Sequence, residues 1–78
     1  MRNRVVIDPK VMVGKPVIAG TRITVEQILR MLGQGIAADE ILDDFPQLEI
    51  KDIYAAINYA SALVAHEEVY PKFIKAEA

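Results

Sequence analysis

The sequence predicts a mainly α fold, a three-helix helix-turn-helix domain preceded by short N-terminal β-strands or a hairpin. Three observations predict it. Turn-forming pairs punctuate a β-branched stretch between Val5 and Thr24. Three segments of helical periodicity follow. A tight Pro-containing turn joins the short second segment to the long third, as in a helix-turn-helix.

In the first stretch the breaks are Asp8-Pro9, Gly14-Lys15-Pro16 and Gly20-Thr21, with strand-forming residues between them. Thr24-Val25-Glu26-Gln27 reads as a capping box, in which the Thr24 hydroxyl and the Gln27 side chain each satisfy an exposed backbone N–H. A first helix is therefore expected from Val25, with Val25, Ile28, Leu29 and Leu32 on its buried face and a left-handed cap at Gly33 or Gly35.

The second helix is expected within IAADEILDDFP, with Ile41, Leu42 and Phe45 inward and Asp39, Glu40, Asp43 and Asp44 outward, stopped by Pro46. A Ser or Thr cap is missing where Ala37 stands. The third runs from about Ile50 to Val69, with Ile50, Ile53, Tyr54, Ile57, Ala60 and Val64 as the expected core stripe and Pro71 as its stop. Ala55, Ala56, Tyr59, Ala62 and Leu63 lie off that stripe and call for a second cover. The expected organisation is one domain over residues 1–70 and a tail over 71–78.

A chain of 78 residues holds one small core. With 53% hydrophobic and 26% charged residues it is a packed chain, not a disordered one. It has no cysteine, so packing or association must supply the stability that disulfides or thiolate-bound zinc give other small domains. A homodimer covering Tyr59, Ala62 and Leu63 is the expected outcome. Val5-Val6-Ile7 is too short for a signal-peptide core and no apolar run approaches a membrane span, so a cytoplasmic location is expected.

The net charge of −2 divides along the chain: Arg2, Arg4, Lys10, Lys15, Arg22 and Arg30 dominate before Gly35, and acidic residues dominate after it. That division reads either as ordinary solvated surface or as two binding surfaces, one for an anion such as DNA and one for a basic protein.

From Gly14 to Ile23 the sequence reads GKPVIAGTRI. With Ile7-Asp8-Pro9 before it, and Val25 to Leu29, Gly35, Glu40-Ile41-Leu42, Phe45 to Leu48 and Asp52 to Ala60 after it, the chain resembles the family named domain of unknown function 433. The resemblance covers nearly the whole chain. It implies a homeodomain-like helix-turn-helix fold and the role of a VapB-like antitoxin, paired with a toxin of the PIN-like nuclease kind. Two departures stand out: Ala37 and Glu49 replace the Ser or Thr frequent at the second and third helix caps, and only PKFIKAEA follows as a toxin-contacting arm.

A helix-turn-helix bound to operator DNA would offer Lys51, Tyr54, Ala55 and Asn58 from the third helix, with Asn58 as an adenine reader. Arg2, Arg4, Lys15 and Arg22 are the expected phosphate contacts, while Glu49 and Asp52 oppose them. Arg22 reads equally as a structural partner of Asp8. The alternative is a protein-interaction module without DNA, in which acidic surface steers a basic toxin while Tyr59, Leu63, Tyr70, Phe73 and Ile74 anchor it.

Other chemistries find no support in the sequence. Gly14-Lys15 and Gly20-Thr21 are in the wrong order for a phosphate loop. His66 with Glu67 and Glu68 offers too few ligands on one side of a helix for a metal. The acidic set on the second helix has no accompanying group for catalysis. No enzyme activity, cofactor or metal is expected.

Overall fold

A computed structural model describes residues 4–66. Strands β1 (Val5–Ile7) and β2 (Pro16–Ile18) pair antiparallel, with Val5 opposite Ile18 and Ile7 opposite Pro16. Helices α1 (Val25–Gly33), α2 (Ala38–Asp44) and α3 (Ile50–His66) follow. The fold is the expected one: three helices preceded by a short hairpin, mainly helical. No helix among the described residues is long and apolar enough to cross a membrane.

The hairpin connection is built from left-handed residues, with φ of +51° at Met12, +57° at Val13 and +79° at Gly14. Only the glycine adopts that region without steric cost, and a β-branched valine least of all. Val13 is 94% exposed, so its strained backbone is not repaid by any packing of its side chain.

Each helix start is capped differently. Thr24 Oγ1 accepts from the Gln27 N–H at 2.9 Å, one half of the expected box, and the reciprocal Gln27 bond is not among those formed. Ala37 has no side-chain acceptor, and the Glu40 carboxylate supplies the other half by accepting the Ala37 N–H at 3.3 Å. At α3, Asp52 plays the same part, accepting from the Glu49 N–H at 2.8 Å. The missing Ser and Thr caps are thus replaced by carboxylates three residues inside the helix. The end of α1 follows the glycine signal: Gly35, at φ +89°, donates to the Leu32 carbonyl at 3.0 Å, and Ile36 donates to that of Met31 at 3.1 Å. Those two bonds form a Schellman cap.

The core lies where the three helices meet the hairpin. Ile18, Ile23, Val25, Ile28, Ile41, Leu48, Ile53 and Ala56 are buried together, with Leu29, Leu32, Ile36, Leu42, Phe45 and Tyr59 packed around them. The buried faces of α1 and α2 are those their periodicity predicts. That of α3 is not: Asp52, Ile53 and Ala56 are buried, while Ile50, Tyr54, Ile57 and Val64 are exposed. The helix is rotated about its axis from the expected orientation, and only Ile53 of the predicted stripe belongs to the buried cluster. A helix apolar nearly all round gives no unique inward side, and the Asp52 cap with its Arg4 partner selects the side that turns in. The expectation that the core extends to Val64 is corrected with it, since every residue from Ser61 to His66 is exposed.

Candidate functional site

At about 100° per residue, the side chains of α3 divide into three faces. The first is the core face of Asp52, Ile53, Ala56 and Tyr59. Asp52 is 5% exposed and charged, and it is satisfied on both oxygens: Oδ2 by the Glu49 N–H and Oδ1 by Arg4 Nη1 at 2.8 Å. Arg4 Nη2 also reaches Glu49 Oε1 at 3.5 Å. The hydrogen bond to Asp52 and the charges of Asp52 and Glu49 raise the Arg4 pKa further above its ordinary value.

The second face carries Lys51, Ala55 and Asn58. With Arg4, Val5 and Ala19 from the hairpin and Gln47 from the turn, they line an open groove of about 1020 Å³. Lys51 and Asn58 are exposed, and Ala55 between them keeps the groove floor shallow. Lys51 and Asn58 lie seven residues, about two helical turns, apart on that face.

The third face is apolar. Ile50, Tyr54, Ile57 and Val64 are 37%, 57%, 42% and 58% exposed, and Ser61 completes the row. Four of its members, Ile50, Tyr54, Ile57 and Val64, belong to the stripe expected to face the core.

The residues singled out in the sequence therefore separate. Lys51 and Asn58 share the groove, whereas Tyr54 stands on the apolar row. Arg4 lines the groove, but its guanidinium is engaged by Asp52 in a part-buried contact where a free phosphate donor was expected. Lys15 pairs with Glu26 at 3.0 Å, and Glu26 also takes Arg30 at 2.7 Å. The Lys15 hydrogen bond, with the charges of Lys15 and Arg30, holds the Glu26 carboxyl below its ordinary range.

Arg22 is exposed beside Asp8 in a smaller cleft of about 400 Å³ with Val6, Val11 and Thr21. No ion pair joins them among the described residues, and Asp8 instead accepts from the Lys10 N–H at 2.9 Å. Tyr59 is partly buried, packing against the core and lining the groove, while Leu63 is exposed. Arg2, Tyr70, Phe73 and Ile74 lie outside the described residues. Sequence reading missed the Arg4–Asp52 clamp. An aspartate three residues beyond the α3 cap was its one local signal, and nothing local points to Arg4.

Residues 5–60 match the family described as "Protein of unknown function (DUF433)". The chain belongs to this family. A crystal structure of a DUF433 member protein from Anabaena variabilis is similar at 33% identity and a TM-score of 0.76, over 78% of this chain. The match spans 60% of the Anabaena chain. An uncharacterized protein of Archaeoglobus fulgidus is 64% identical over 29 residues, which are 37% of this chain and 81% of that protein.

Proposed function

We propose that this DUF433 protein is the antitoxin-type member of a toxin–antitoxin pair, a binding module whose partner is a PIN-like nuclease. The observation that carries the reading is that α3 leaves two of its three faces in solvent. A domain this small has little apolar surface to leave unused, so two free faces on its longest helix suit binding. The partner's chemistry is argued from charge and from the family resemblance. Asp39, Glu40, Asp43 and Asp44 of α2 are all exposed, and none forms an ion pair among the described residues. Nucleases that hold RNA present positive charge, and an acidic helix face complements that path. Co-expression of the tagged chain with the nuclease encoded beside it tests the reading. A complex that survives purification at low salt and dissociates as salt rises is expected. Recovery of the chain alone at low salt would overturn it.

A second reading, operator DNA binding, is favoured by the exposed Lys51 and Asn58 on the groove. In a gel mobility assay on the chain's own promoter, Asn58→Ala should relax preference at one position and Lys51→Ala should weaken all sequences alike. The acidic α2 lies on the side where a helix-turn-helix crosses phosphates, which makes nuclease binding the primary reading.

A further inference from the structure

The apolar row of α3 has a spacing that the core does not explain. Ile50, Tyr54, Ile57, Ser61 and Val64 follow one another at intervals of four, three, four and three residues, the alternation of a helix-pairing seam. All five are exposed. The seam lies roughly 90° round the helix from Ile53 and Ala56, so turning it into the chain's own core would unseat them.

The helix is also longer than its support. At about 1.5 Å per residue, α3 extends roughly 26 Å, against about 14 Å for α1 and 11 Å for α2, and from Ser61 to His66 every residue is exposed.

We infer that this row is a two-fold interface that pairs α3 with α3 of a second copy of the chain, antiparallel about Ile57. Charge favours a copy over a foreign protein. No member of the row is charged, and its flanks at Asn58, Ala60 and Ala65 are neutral as well; among the described residues charge borders it only at its start, where Glu49 and Lys51 stand either side of Ile50, so the row itself is complementary to a second copy of itself.

Shape gives the direction. Ile57 stands midway between Ile50 and Val64, so an axis through it sets Ile50 against the partner's Val64. The same axis brings Tyr54, three residues before Ile57, within one residue of the level of the partner's Ser61, four residues after it, so the bulkiest side chain of the row meets the smallest. A parallel pair would oppose tyrosine to tyrosine and serine to serine, crowding one layer and leaving a gap in the next. Antiparallel pairing also lays the unsupported last third of each helix along the supported first part of the other, and opposes the helix dipoles. The face expected to pair from sequence, Tyr59 with Ala62 and Leu63, is not this one. The inference is independent of what the groove face or α2 binds.

The cysteine-free chain makes the test clean. Sedimentation at micromolar concentration should give a species of twice the 8.7 kDa chain mass, and Ile57→Glu should halve it with the helical circular dichroism unchanged. Should Ile57→Glu lose its helical signal, Ser61→Arg takes its place, since Ser61 is exposed. Under mild oxidation Ile57→Cys should cross-link to itself. Val64→Cys alone should not, but should cross-link when mixed with Ile50→Cys. A monomer at every concentration would overturn the proposal. So would a folded charged variant that stays dimeric, or self-cross-linking of Val64→Cys, which would mean a parallel pair.

Discussion

Arg4 and Asp52, 48 positions apart, fasten the start of β1 to the first turn of α3: Arg4 Nη1 donates to Asp52 Oδ1 at 2.8 Å while Oδ2 caps the helix at the Glu49 N–H. One buried carboxylate thus fixes both where α3 begins and which side of it faces the core. Removing it leaves a helix start uncapped and the Arg4 guanidinium with only the longer contact to Glu49. Asp52→Ala should cost about 2 kcal/mol, since hydrogen bonds to charged groups contribute about 1.5–3 kcal/mol. At about 4–8 °C per kcal/mol for a domain of this size, thermal melts should fall by roughly 10 °C. Asp52→Asn keeps an acceptor for the cap and loses only the ion pair, so its melt should lie between the two. Unchanged melting of Asp52→Ala would remove the clamp from the account.

Gly35 offers a test of the backbone alone. Its φ is +89° and an added Cβ would meet nothing within 4 Å. Gly35→Ala should therefore destabilise by about 1–2 kcal/mol through left-handed strain without any clash, and Gly35→Asn by less. Chemical denaturation of the two variants checks the order.

The Glu26 carboxyl, held low by Lys15 and Arg30, makes a pH-dependent contribution. Because its folded pKa is depressed, the stabilisation is fully present above the unfolded glutamate value of about 4.3 and is lost as pH falls through the folded value. All three side chains are more than half exposed, so the effect is small and screened by salt. The melting difference between the wild type and Glu26→Gln, a change nearly neutral for helix propensity, should be present at neutral pH and low salt. It should vanish at the acid end of the titration and in high salt. A difference independent of pH would assign it to something other than the charge.

What was legible in the sequence follows from how local each cause is. Thr24, Gly35 and Pro46 act on their own neighbours, and they marked the ends of α1 and α2. Asp8-Pro9 and Gly14-Lys15-Pro16 bracket the hairpin connection in the same way. The orientation of α3 is a different kind of fact. Ile53 and Ile57 are equally apolar, and the choice between them is made by Arg4 from the far end of the chain, which no periodicity records. The candidate site was divided accordingly: Lys51 and Asn58 were found on one face, whereas Arg4 and Tyr59 proved to have structural contacts.

The central claim, that this is the antitoxin-type partner of a basic nuclease, is tested most directly by growth. Cells expressing the nuclease encoded beside this chain should be arrested, and co-expression of the wild-type chain should restore growth. Asp39 and Asp43, one turn apart on α2 and both exposed, can be reversed together without touching the core. The Asp39→Lys, Asp43→Lys chain, with wild-type helical content, should fail to protect. Full protection by the charge-reversed chain, or none by the wild type, would contradict the account.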